Sequence, residues 1–151
     1  MIEDKISSKA MKESLPFKLG YVTKLVFKEL NSQLTIEGVP VLAEQLPILM
    51  VVYFQEKALT QQEIANVLQK DKAGIQRSIQ TLNKDGFLRI ESDIEDKRKN
   101  LISLTASGKF VCEKVQTMAM TFHNQIMEQF TSEEKSIFNS LLDRIARAIE
   151  K

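Results

Sequence analysis

The sequence predicts a mainly α-helical fold that carries one small β-hairpin. Three observations lead there. Five Gly and three Pro in 151 residues are few, which favours long helices over a turn-rich β fold. Apolar residues recur at steps of three and four along most of the chain, the period of helices with a buried stripe. Two short stretches, Phe87–Glu91 and Asn100–Leu104, read instead as strands paired across the charged loop Ser92 to Lys99.

Each element has its own signal. Ser14 precedes Leu15 and Pro16 and reads as the cap of a first helix, with Pro16 in the first turn, where its missing N–H does no harm. Leu15, Leu19, Val22, Val26 and Leu30 form one stripe of that helix, and Phe17, Tyr21 and Leu25 a second. A helix apolar on two sides sits between two surfaces, here its own core and a partner subunit. After Gly38-Val39-Pro40 a second helix is expected over about Leu42 to Phe54, kinked by Pro47. Thr60 and Glu63 form a capping box before Ile64, Ala65 and Leu68 of a short third helix. Asp71 caps a fourth, whose Ile75, Ile79 and Leu82 share one face. Asp85-Gly86 ends it and leads into the hairpin. Thr105 then caps a long fifth helix with Val111, Val115, Met118, Phe122, Ile126 and Phe130 in its stripe. Thr131 and Glu134 form another capping box for a sixth, which holds Phe138, Leu141, Leu142, Ile145 and Ile149.

Composition bounds the function. There are 21 Lys+Arg against 20 Asp+Glu, a net charge of +1, which argues against a polybasic protein but leaves room for a local basic patch. Residues 57–109 carry ten Lys/Arg and seven Asp/Glu, so the basic excess lies in the centre, between slightly acidic flanks. The longest apolar run, Leu46 to Phe54, is far below the roughly 20 residues that span a bilayer, so no membrane partner is expected. Met1 to Ser14 mixes acids and bases and lacks an apolar secretory core, and the single Cys112 cannot form an intramolecular disulfide. A cytoplasmic protein is the expectation.

The order helix, short helix, tight connection, helix, hairpin is that of a winged helix-turn-helix. A helix fits the B-DNA major groove and must offer hydrogen-bonding side chains there. The fourth helix does so with Gln76, Arg77 and Gln80, opposite its apolar anchor. Arg pairs bidentately with guanine, and Gln with adenine. Lys72 and Lys84 lie at its two ends, and small Ala73 and Gly74 allow the backbone to approach closely. By spacing alone the same residues also fit an ordinary solvated helix face, and the loop Asp93 to Lys99 a solvated hairpin tip.

The stretches Leu59–Ala65, Asp71–Ile79 and Leu82–Leu88 resemble the MarR family of bacterial transcription regulators. Most specific are Asp93-Ile94-Glu95-Asp96-Lys97-Arg98 and Leu101-Ile102-Ser103-Leu104-Thr105-Ala106-Ser107-Gly108, similar to the family's Asp-x-Arg wing running into a Leu-Thr-x-x-Gly helix start. The resemblance spans roughly Leu15 to Ile149. It implies double-stranded DNA as partner and a homodimer, with residues 1–35 and 106–151 as dimerisation region and 36–105 as DNA-binding lobe. Leu15 and Leu19, with Phe138, Leu141, Leu142, Ile145 and Ile149, would pair the subunits. Arg98 would reach the minor groove or its phosphates, oriented by Asp96, while Lys97 and Lys99 touch phosphates. The family pattern also implies a ligand-responsive repressor acting on a pseudo-palindromic operator, with a small aromatic or phenolic effector. Candidate lining residues are Phe17, Tyr21, Phe54, Met118 and Phe122, which read equally as core or dimer packing. Two departures stand out. Ala73 and Gly74 occupy positions where many members have Ser or Thr, and Ile94 one where Pro is frequent.

No enzymatic site emerges. Cys112 and His123 are eleven positions apart on one predicted helix, about 16 Å along its axis and beyond hydrogen-bond reach. Cys112 reads as a buried, inert thiol, and no second His or Cys completes a metal site with His123. No cofactor, metal or catalytic residue is expected. The competing class is a winged-helix module that binds an acidic protein partner and not DNA.

Overall fold

The computed structural model describes residues 2–150, with side chains from residue 8 onward. Seven α-helices and three strands are present among them: α1 (Ile2–Glu13), α2 (Leu15–Ile36), α3 (Leu46–Gln55), β1 (Leu59–Thr60), α4 (Gln61–Leu68), α5 (Lys72–Lys84), β2 (Leu88–Ser92), β3 (Asn100–Leu104), α6 (Ala106–Met127) and α7 (Ser132–Ile149). They fall into two compact units, residues 1–114 and 115–151, with the division inside α6.

The first unit holds the apolar core. Leu34, Leu49, Ile64, Ile75, Leu82, Leu88, Ile102 and Cys112 are its largest fully buried side chains. α3 packs on α4, α5 and β3, and buries Leu46, Ile48, Leu49 and Val52. The three strands form an antiparallel sheet in the order β1-β3-β2, with Leu59 and Ile90 flanking Ile102 in register. In the second unit α7 starts on the expected capping box: Thr131 Oγ1 accepts from Glu134 N–H at 3.2 Å, and the Glu134 carboxylate accepts from Thr131 N–H at 2.8 Å.

Several local expectations need correction. α1 was not foreseen. Its stretch has no Gly or Pro, and its three Lys, two Glu, one Ala and one Met are good helix formers that carry no sharp start signal. Ser14 occupies the cap position of α2 but makes no side-chain cap; its hydroxyl donates back to Met11 O at 2.6 Å, at the end of α1. Pro47 produces no kink. A 3-10 turn, Ala43–Gln45, precedes α3, and Pro47 then lies in the first helical turn, where no backbone bond is lost. β1 was also missed, because two residues are too few to show alternation. Phe87 lies just before β2 and not within it.

The hairpin is fastened to α6 by a knot of short contacts. Gly86 ends the α5 turn with φ of 84°, a conformation that favours glycine. Phe87 N–H donates to Leu82 O at 2.9 Å, and Phe87 O accepts from Thr105 N–H at 3.2 Å. Thr105 Oγ1 donates to Gly86 O at 2.6 Å and accepts from Gly108 N–H at 3.0 Å. A Cβ on Gly108 would run into the Phe87 carbonyl, so only glycine lets α6 approach this closely. The Leu-Thr-x-x-Gly pattern is therefore a docking device between helix and hairpin.

Candidate nucleic-acid interface

α5 is held from below. Ile75, Ile79 and Leu82 are 1%, 2% and 0% exposed, at the helical spacing that makes one face. Lys72, Ala73, Gln76, Arg77, Gln80 and Lys84 are exposed on the other side, and Gly74 is half-buried. The sequence-predicted recognition residues are thus brought to one solvent face of one helix. Asp71 caps it, its carboxylate accepting from Gly74 N–H at 2.8 Å. A Cβ at Gly74 would lie 3.1 Å from an Asp71 oxygen, which gives that glycine a local reason of its own. Gln61, to which the sequence assigned no role, donates from Nε2 to Lys72 O at 3.2 Å and ties the start of α4 to that of α5. Its only sequence signal is a polar side chain in the first turn after the Thr60 cap.

The wing loop, residues 93–99, is ordered by its own polar groups. Asp93 N–H donates to Lys99 O and Lys99 N–H to Asp96 O, both at 2.9 Å. Asp93 Oδ1 accepts from Glu95 N–H at 2.9 Å. One Asp96 oxygen, Oδ1, accepts from both Arg98 N–H and Arg98 Nε at 3.1 Å. The Arg98 side chain is otherwise free in solvent, 91% exposed. The Arg98 side-chain hydrogen bond, then its backbone one, then the Lys99 charge hold the Asp96 carboxyl below its ordinary value. Glu63 is also held low, by the Thr60 backbone N–H first and, among weaker causes, by Lys57 and Lys99. Lys97 and Lys99 are exposed beside Arg98, so the second half of the loop is cationic, while Asp93, Glu95 and Asp96 in its first half bring the whole loop to charge balance.

The remaining candidates lie elsewhere. Leu15, Leu19, Phe17 and Tyr21 are exposed on α2, and Phe54 is exposed at the end of α3, edge-on to Tyr53 at 5.3 Å. Met118 and Phe122 are half-buried on α6. On α7, Phe138, Leu141 and Ile149 are exposed and Leu142 and Ile145 half-buried. An open cleft of about 450 Å³ is lined by none of the five effector candidates; its walls are Gly38, Val39, Pro40, Phe87, Ala106, Ser107, Phe110, Val111 and Lys114. Lys114 Nζ donates to Glu37 O at 2.9 Å at its edge. Cys112 is 1% exposed, its Sγ lies 3.7 Å from Leu49 O, and burial pushes the thiol up to about 11. That makes it a poor nucleophile at neutral pH. Among the described residues no three His, Cys, Asp or Glu side chains cluster as metal ligands, and no helix is long and apolar enough to cross a membrane.

Known proteins resemble this arrangement. A family model described as the MarR family matches residues 37–99, from the end of α2 through the wing. The HTH-type transcriptional regulator BilQ of Clostridium symbiosum is 27% identical over 101 residues, which cover 66% of this chain and 70% of that protein. The HTH-type transcriptional repressor YetL of Bacillus subtilis is 32% identical over 96 residues, 63% of this chain and 58% of that protein. Among solved structures, the S. aureus MepR–DNA complex superposes with a TM-score of 0.82 at 20% identity, covering 90% of this chain and 98% of that one. At that identity the likeness is one of fold.

Proposed function

We propose that the chain is a member of the MarR family of winged helix-turn-helix transcriptional regulators, a sequence-specific DNA-binding protein that represses transcription as a homodimer. One observation carries the reading. A helix anchored by three buried aliphatic side chains shows Gln76, Arg77 and Gln80 to solvent, in the same unit as a wing whose Arg98 is already oriented by Asp96. The helix face suits base edges in the major groove, and the wing cations suit phosphates and the minor groove. The MepR structure was obtained with DNA, and YetL is named a repressor.

The dimer reading rests on apolar faces that the single chain leaves open. Leu15, Leu19 and Leu25 on α2, and Phe138, Leu141 and Ile149 on α7, are each more than a third exposed. Such a surface on a charged, water-facing protein favours a second copy. We assign residues 1–35 and 106–151 to pairing and 36–105 to DNA, acting in the cytoplasm with no catalytic step. Two-fold symmetry then requires a pseudo-palindromic operator with half-sites about one helical turn apart. A small aromatic effector has a candidate site in the cleft beside Phe87, whose backbone links α5 to β2 and α6.

The test is a gel shift and footprint on duplexes selected from a random pool, repeated at raised salt. Arg77→Ala should cost about 1–3 kcal/mol of affinity and relax preference at one base pair. Arg98→Ala should weaken all sequences alike and flatten the salt dependence. Binding to no duplex would overturn the reading in favour of an acidic protein partner, and wild-type affinity in both variants would overturn the assignment of contacts.

A further inference from the structure

The wing carries a side chain that its own chemistry does not explain. Ile94 is 94% exposed, more than any other large hydrophobic side chain among the described residues. Lone apolar residues on a surface are ordinary. This one differs in being held out. The turn closed by Asp93 Oδ1 and Glu95 N–H spans Ile94, and the Asp93 N–H to Lys99 O bond closes the loop behind it. Lys97, Arg98 and Lys99 follow in the same loop, so whatever polyanion the cations meet is brought to Ile94 as well.

We propose that Ile94 is a specificity-determining contact of the wing: its side chain lies against the deoxyribose walls of the minor groove beside Arg98 and favours A·T pairs there. The proposal rests on the DNA-binding reading above. The minor groove is only about 6 Å wide, and narrower in A-tracts, so an aliphatic group inside it touches sugar C–H surface on both sides. A G·C pair adds the guanine N2 amine to the groove floor. An apolar side chain over that donor leaves it without an acceptor, which is costly where water is excluded. Arg98 and the lysines supply attraction that depends on salt; Ile94 supplies discrimination that does not.

The experiment uses the full chain and duplexes that the wild type selects from a random pool. In the segment the wing protects, each A·T pair is replaced by G·C and, separately, by inosine·cytosine, which lacks the N2 amine. For the wild type, G·C should weaken binding several-fold and inosine·cytosine should restore it. Ile94→Ser should bind the selected duplex roughly tenfold more weakly, about 1.4 kcal/mol, with an unchanged slope of log affinity against log salt. It should also no longer distinguish the three duplexes. Its melting temperature should match the wild type, because the side chain touches no core. An Ile94→Ser variant with wild-type affinity and the same base preference overturns the proposal while the wild type's own binding leaves the DNA reading intact. A wild type that selects no duplex overturns both.

Discussion

Helix α5 and the wing loop are held in place by opposite means. α5 is fixed by packing: Ile75, Ile79 and Leu82 are buried, and each such aliphatic side chain contributes about 1.5–3 kcal/mol when fully removed from water. The loop 93–99 buries no side chain and takes its order from local hydrogen bonds between its own carboxylates and amides. Packing does not titrate and is not screened by moderate salt, whereas a carboxylate clamp is sensitive to both pH and screening. The helix is therefore the rigid member of the pair, and the wing the adjustable one. A single global stability measurement should report on the first and be nearly blind to the second.

The sharpest way to break this contrast is to remove the packing. Leu82→Ala should cost about 2–5 kcal/mol in a denaturant or thermal melt, because a fully buried leucine leaves a cavity beneath α5. A loss below about 1 kcal/mol would mean that the helix is not anchored as described. Asp71→Ala is a smaller intervention on the same helix. It removes the acceptor of Gly74 N–H and should cost about 1 kcal/mol of stability. It also removes an anionic group from the end of the helix expected to approach phosphates. Per folded molecule, DNA affinity should stay level or rise, measured by titration well below the melting temperature. A fall in both would show that Asp71 touches DNA as well as its own helix.

The same contrast explains what the sequence disclosed. Elements fixed by a side chain with one stereochemical use were legible. Thr60 and Glu63, Asp71, and Thr131 and Glu134 all make the caps that their spacing implies. The anchored face of α5 followed from the positions of Ile75, Ile79 and Leu82 alone. Elements that depend on distant partners were not. β1 exists only because β3 pairs with Leu59 and Thr60. Pro47 could be placed only once the 3-10 turn before it moved the start of α3. At the site, the Asp96–Arg98 bond is between near neighbours and followed from the motif. The cleft beside Phe87 did not, since its walls come from the α2–α3 connection, the α5–β2 connection and the first half of α6. The aromatic stripes drew attention to Phe17, Tyr21 and Phe54, which are exposed on α2 and α3.

The smallest effect tests the wing. Asp96 is held charged chiefly by the Arg98 side chain, which lowers its pKa from an ordinary 3.8. A lowered carboxylate pKa contributes order that is complete above the ordinary value and is lost as pH falls through the folded one. The clamp on Arg98 should therefore be intact at neutral pH and open only below about pH 4, visible as faster exchange of the Arg98 Nε proton. Because Asp96 is only half-buried and its partner Arg98 stands largely in solvent, the melting temperature should barely register this opening. Asp96→Asn imposes the neutral state at pH 7. An amide oxygen still accepts from Arg98, but without the charge, so DNA affinity should fall only about threefold and evenly across sequences. A melting temperature lowered as far as that of Asp71→Ala would show that the wing shares the packed core's stability. A loss of affinity equal to that of Arg98→Ala would show that Arg98 binds only when the clamp has set its direction.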